Sequence, residues 1–213
     1  MLNHDVERQI ANYLLDIRAV ELQPNLPFVW ASGWKSPIYT DNRKTLSFPE
    51  VRNYIKMQFV KVIKENFPEV GLIAGVATGA IAQGALVANE MNLPFAYVRS
   101  ASKNHGLENL VEGIVRYGQK VVVIEDLVST GQSSLKAVTA LRAQGCKVLG
   151  MCSIFTYGFN IAKDSFESAK CQLISLSNYS ALIELALETG YVNQNQLPTL
   201  LEWRRNPESW GRI

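Results

Sequence analysis

Val121-Val122-Val123-Ile124-Glu125-Asp126-Leu127-Val128-Ser129-Thr130-Gly131-Gln132-Ser133-Ser134 decides the fold. Four apolar, largely β-branched residues predict a buried strand. Two acids follow, then a short turn rich in hydroxyls with one glycine. A helical run begins at once, carried by Leu135, Val138 and Leu141. A strand that ends in acids and turns into a helix start makes a site for a phosphorylated sugar. The free N–H groups and the positive end of the helix dipole attract phosphate. Ser129, Thr130 and Ser133 can donate hydroxyl hydrogen bonds, and Gly131 lets the backbone approach closely. Glu125 and Asp126 are acceptors suited to the paired hydroxyls of a ribose.

Upstream and downstream, strands and helices alternate. Gly71–Ala77 reads as a strand, Ala80–Met91 as a helix and Phe95–Val98 as a strand. Arg99 to Glu112 reads as a polar loop. Ile114–Tyr117 and Val121–Ile124 read as strands, Ser133–Gln144 as a helix and Lys147–Phe155 as a strand. This βαβ pattern predicts an α/β fold with a mostly parallel central sheet flanked by helices. Nearer the N-terminus, Val6, Ile10, Leu14 and Ile17 predict an amphipathic helix over Asp5–Val20. Phe28–Trp30 and Ser36–Tyr39 flank Ser32-Gly33 as in a short hairpin. Pro49 opens a second helix, with Val51, Ile55, Phe59 and Val62 on one face. From Tyr179 the tail reads as helical pieces ending in Trp203 and Trp210. The expected plan is one domain of 1–213: N-terminal helices and a small hood segment over 1–66, an α/β core over 67–178 and a helical tail over 179–213.

The chain has 213 residues and a formal net charge of +2, too small to argue for nucleic-acid or membrane partners. No apolar run reaches membrane-span length. The start, Met1-Leu2-Asn3-His4-Asp5, passes directly into an amphipathic pattern, so no signal peptide is expected. Cys146, Cys152 and Cys171 form no C-x-x-C pair. They read as reduced thiols in or near the core, which suits a cytoplasmic protein and argues against a metal site built from them. Gly79 and Gly84 have G-x-x-x-x-G spacing but continue Ala85-Leu86, so an ATP-binding Walker loop is excluded. The turn around Ala77–Ala80 serves either to present backbone N–H groups to a diphosphate or simply to pack helix against sheet.

A second constellation follows the strand that ends at Val98. Arg99, Lys103 and His105 put three potentially cationic groups into one short loop with Gly106. Arg and Lys suit neutralisation of a departing diphosphate, and such a loop can close over a site and exclude water. Its place at a strand C-terminal end fits where open α/β sheets bind ligands.

The hydrophobic run, the two acids and the Thr-Gly turn resemble the phosphoribosyl-diphosphate (PRPP) signature of the type I phosphoribosyltransferases. Adding the Arg99…Lys103-x-His105-Gly106 loop and Ser32-Gly33-x-Lys35-Ser36-Pro37-Ile38-Tyr39-x-Asp41, the chain resembles the orotate phosphoribosyltransferases over nearly its whole length. The resemblance implies the type I phosphoribosyltransferase fold with a hood over the base site. It implies conversion of orotate and PRPP to orotidine 5′-monophosphate and diphosphate with Mg²⁺, in pyrimidine (UMP) biosynthesis. It also implies a cytoplasmic homodimer with a shared active site, the 99–112 loop reaching the neighbouring subunit. The catalytic residues it implies are Arg99, Lys103, His105 and Asp126. PRPP contacts fall to these four, to Glu125, and to Leu127, Val128, Ser129, Thr130, Gly131, Gln132 and Ser133. Orotate contacts fall to Lys35, Tyr39, Ser129, Thr156 and Tyr157. No protein cage is expected for the metal.

Three positions depart from the family pattern. Ala31 stands where many members have a lysine before the Ser-Gly, Ser100 where many have one after the loop arginine, and Thr78-Gly79 where some have Tyr-Lys. Lys35 and Arg43 remain as alternative cations. Two other readings compete. A purine phosphoribosyltransferase is disfavoured by the Ser32–Pro37 segment. A nucleic-acid-binding regulator on the same fold is disfavoured by the near-neutral charge and the retained Lys103 and His105.

Overall fold

A computed structural model of the chain describes residues 3–30, 33–100 and 110–211. The element order is α1 (His4–Asp16), β1 (Val20–Leu22), β2 (Phe28–Val29), β3 (Lys35–Ser36), β4 (Ile38–Thr40), a 3-10 turn (Asn42–Ser47) and α2 (Pro49–Asn66). The core continues with β5 (Leu72–Val76), α3 (Ile81–Met91), β6 (Phe95–Val98), β7 (Val111–Glu112), β8 (Lys120–Val128), α4 (Gln132–Ala143), β9 (Lys147–Thr156), α5 (Asn160–Ser168) and β10 (Gln172–Asn178). The tail carries α6 (Tyr179–Glu188), a 3-10 turn (Gln194–Gln196) and α7 (Leu197–Arg205).

Six strands form the central sheet among the described residues, in the order β10-β9-β8-β5-β6-β7. All neighbours are parallel except β6 and β7. Side chains of β8 alternate between two cores. Val122 and Ile124 face the cluster built with α1, α2 and α6, while Val121 and Val123 face the one built with α4 and α5. A strand covered on both faces must be apolar at every position, which is why Val121–Ile124 is a continuous run.

The topology creates a crevice. From β5 the chain steps to β6 on one side, whereas β8 lies on the other. The carboxyl ends of β5 and β8 are therefore the switch point, where open parallel sheets take their ligands. The pairing of β8 with β5 ends at Ile124↔Gly75, but its pairing with β9 runs on to Val128↔Thr156. Glu125 to Val128 thus form an overhang with one flank open toward the turn after β5.

Several boundaries differ from the sequence expectation. β8 does not stop at Ile124; cross-strand bonds to β9 carry it through both acids. The strand expected over Ile114–Tyr117 is absent. Ile114 and Tyr117 are 83 % and 93 % exposed, and the pairing partner of β6 is Val111–Glu112 instead. α1 ends at Asp16, because Arg18 takes a left-handed conformation and Val20 enters a strand. Helix α5 and strand β10 were not anticipated. The hairpin around Gly33 forms from Phe28–Val29 and Lys35–Ser36, but Ile38–Thr40 pairs with β1. The segment Asp41–Lys44, which reads as a solvated turn, contributes a buried asparagine, Asn42. All three cysteines are free and buried.

Candidate active site

The overhang of β8 is fixed from three directions. From the hood, the Asn42 side-chain amide donates to the Asp126 carbonyl oxygen at 2.6 Å. Asn42 is 2 % exposed, and the Thr45 hydroxyl braces its turn by donating to the Asn42 carbonyl oxygen at 2.6 Å. From β5, the turn of Ala77–Ala80 brings Gly79 against the Asp126 carboxylate. A β-carbon at Gly79 would coincide with the Asp126 Oδ2 atom. From α4, the Ser134 hydroxyl donates to Glu125 Oε2 at 2.8 Å.

The two acids have different surroundings. Glu125 is 4 % exposed, and its Oε1 accepts from the Asp126 N–H at 3.0 Å. Burial, followed by the neighbouring Asp126 charge, holds its carboxyl well above the usual carboxylate range. Asp126 is half-buried. Its Oδ1 accepts from the Leu127 N–H at 2.9 Å, and its carboxylate lies within side-chain hydrogen-bond reach of Glu125. Asp126 is the acid presented to the crevice.

Beyond the overhang, Ser129 and Thr130 are half-buried and Gln132 and Ser133 exposed. Gly131 precedes α4 with φ +84° and no side chain caps the helix, so its first amides are available. Only glycine fits there, since a β-carbon would also stand 2.9 Å from the Phe166 ring.

Next to this loop lies a cavity of about 280 Å³ lined by Val29, Trp30, Tyr39, Thr40, Leu127, Ser129 and Tyr157. It lies between the hood and the overhang. Trp30 and Tyr157 stack at 5.3 Å with 25° between planes. The Tyr157 hydroxyl donates to Thr40 Oγ1 at 3.0 Å, so this side chain offers the cavity its ring. Burial pushes its ionisation upward. A polar, hydroxyl-rich loop and an aromatic slot therefore adjoin at one strand end.

Comparison with known proteins agrees with this geometry. The phosphoribosyl transferase domain family matches residues 50–188. The orotate phosphoribosyltransferase of Phocaeicola vulgatus is 58 % identical over 205 residues, 96 % of this chain and 97 % of that one. The chain belongs to the orotate phosphoribosyltransferase family. Among solved structures, the family member from Aeropyrum pernix is similar at TM-score 0.75 and 27 % identity, covering 86 % of this chain and 99 % of that one. Leishmania donovani UMP synthase is similar at TM-score 0.78 and 25 % identity, covering 93 % of this chain and 42 % of that longer one.

Of the residues that family resemblance singled out, Tyr39, Ser129 and Tyr157 come together around the cavity. Thr156 lies just behind it, its hydroxyl donating to the Val128 carbonyl oxygen at 3.0 Å. Lys35 is outside the lining, on an exposed position of β3. Arg99 follows β6, its backbone N–H bonded to Leu110 and its guanidinium 3.5 Å from Glu112. Lys103 and His105 lie outside the described residues. Sequence reasoning takes Asn42 only as part of a solvated turn, Asp41–Lys44, directly after the family-like segment Ser32–Asp41. Arg43, gripped by the Asp41 carboxylate at 2.7 and 3.0 Å, stands close enough to Asp126 to feel its charge. Gly79 explains one departure from the family: a lysine there requires Asp126 to move.

Two outcomes follow from these contacts. Replacing Gly79 by alanine displaces the Asp126 carboxylate, and kcat/KM for PRPP should fall by roughly 10²-fold; kinetics within about twofold of wild type would show the turn to be free to yield. For Glu125, the raised folded-state pKa means the native chain holds a proton that the unfolded chain releases. Stability is then lost as pH rises from the ordinary carboxylate value toward the raised one. Thermal melting of wild type and Glu125→Gln across that range should show wild type losing ground to the variant as pH rises, whereas parallel curves would contradict a buried, protonated Glu125.

Proposed function

We propose that this chain transfers the 5-phosphoribosyl group of PRPP to orotate, releasing diphosphate and forming orotidine 5′-monophosphate for pyrimidine synthesis. The observation that carries this reading is the end of β8, where a hydroxyl-rich loop leading into a helix start adjoins an aromatic-lined slot of about 280 Å³. Membership of the family and the named relatives support it.

In the reaction, the C1–oxygen bond to diphosphate breaks and a bond from a ring nitrogen of orotate to C1 forms, the ring N–H proton passing to the departing diphosphate. With the leaving group taking up the proton, no strong protein base is required. The tasks left to the protein are positioning and charge stabilisation. Leu127 to Ser133 hold the 5-phosphate, using the Ser129, Thr130 and Ser133 hydroxyls and the backbone around Gly131 and Gln132. Asp126 accepts from the ribose hydroxyls, and Glu125 joins it on releasing Ser134. Arg99, Lys103 and His105 hold the diphosphate. Tyr39 and Tyr157 cover the base, Ser129 and Thr156 reach its edge, and Lys35 answers its carboxylate.

Mg²⁺ fits this donor set. It retains waters and binds through one or two carboxylates plus substrate phosphates, and the half-buried Asp126 offers a carboxylate at the crevice. The ion, when bound, neutralises the charge of the diphosphate. The working form is a cytoplasmic homodimer whose 99–112 loop completes the partner's site. Among the described residues, no helix is long and apolar enough to cross a membrane.

The reading is tested by following orotate absorbance on adding PRPP and Mg²⁺, with adenine, hypoxanthine, guanine, xanthine and uracil in parallel. Loss of the orotate signal alone is expected. Turnover of a different base would retain the phosphate loop and overturn the assignment of the slot.

A further inference from the structure

The shared phosphoribosyl transferase domain spans residues 50–188. The hood precedes it and α7 follows it. The structure packs these two outlying pieces against each other at the base cavity. Of the chain's four tryptophans, Trp30 and Trp34 lie in the hood, Trp203 in α7 and Trp210 just beyond α7. Trp203, at 0 % exposure, sits behind the cavity and is not part of its lining. It meets both members of the stacked wall edge-on: Trp30 at 5.7 Å and 84°, Tyr157 at 5.4 Å and 88°. Phe159 and Tyr179 close around its other sides, each at 5.3 Å.

We propose that α7 is part of the base-recognition apparatus, with Trp203 as a positioning residue that sets the orientation of the Trp30–Tyr157 wall. The proposal rests on the orotate reading above. Edge-to-face contacts are directional, so one indole perpendicular to two near-parallel rings fixes both planes at once. Trp34 stacks on Trp30 at 6.5 Å, and Phe155 and Phe159 flank Tyr157 at 5.9 and 5.4 Å, but each of these rings steadies one member of the wall, whereas Trp203 meets both. Trp30 is tied through its indole N–H to the Ile38 carbonyl oxygen at 3.1 Å, and Tyr157 through its hydroxyl to Thr40. Each bond anchors one edge of a ring and leaves its tilt to the packing behind. The tail is in turn gripped on two flanks. The Arg204 guanidinium donates to the Ser180 hydroxyl at 2.8 Å and lies against Gly158, where a β-carbon would stand 3.0 Å from it. On the hood side, Gly211 abuts the Lys35 side chain. The phosphate loop makes none of these contacts. Loss of Trp203 should therefore be felt by the base and not by PRPP.

The test is steady-state kinetics of wild type, Trp203→Ala, Trp203→Phe and Arg204→Ala, varying orotate and PRPP separately, with thermal melting of each protein. For Trp203→Ala we expect the orotate KM to rise by about tenfold while the PRPP KM stays within about twofold. Trp203→Phe, which keeps an aromatic edge, should recover most of that rise. Equal rises in both KM values, or an unchanged orotate KM in a folded Trp203→Ala protein, would overturn the proposal. If Trp203→Ala does not fold, the folded Arg204→Ala protein decides: a selective rise in the orotate KM supports the proposal, and wild-type values for both substrates overturn it. Wild type that turns over PRPP with another base, and not with orotate, would instead overturn the reading of the reaction.

Discussion

Everything at the site depends on β8 remaining a strand beyond the point where it loses one partner. Its pairing with β5 stops at Ile124, and β9 alone carries it to Val128. An overhang of this kind has unsatisfied backbone on its open flank, and buried backbone groups must find partners. Asn42 supplies one from the hood, at the Asp126 carbonyl oxygen. One hydrogen bond thus fastens the hood to the strand that leads into the hydroxyl-rich turn before α4. The aromatic slot and that turn adjoin at this junction.

The same geometry separates the roles of two adjacent acids. Alternation along a strand sends neighbouring side chains to opposite faces. Glu125 turns inward under α4, where burial raises its ionisation and the Ser134 hydroxyl donates to it. Asp126 turns to the crevice, where Gly79 makes room for its carboxylate by having no side chain.

The parallel core was legible because its strands are covered on both faces and so read as unbroken apolar runs, as in Val121–Ile124. The turn from β8 into α4 was legible because its signals are local: an apolar strand, hydroxyls, one glycine and a helical run follow each other in sequence. What could not be read arises from long-range pairing. β8 continues through Glu125 and Asp126 because β9 is beside it, and two acids in sequence otherwise signal a strand end. Val111–Glu112 pairs with β6 where Ile114–Tyr117 had the better local pattern, since edge pairing follows the geometry of Arg99 and Leu110 more than propensity. Asn42 looked like a solvated polar residue because its partner is a backbone carbonyl 84 positions away. Trp30 and Trp203 were visible as aromatics, but nothing in their spacing could bring the hood and the tail together behind one cavity.

The Asn42 junction is tested most directly by calorimetric binding of PRPP and of orotidine 5′-monophosphate to Asn42→Ala, with melting curves to establish folding. If one hydrogen bond couples hood to phosphate loop, both ligands should weaken together, each by roughly fivefold or more for the loss of a bond worth about 1 kcal/mol. Wild-type affinity for PRPP in a folded Asn42→Ala protein would contradict it, and would mean that the overhang of β8 holds its shape without the hood.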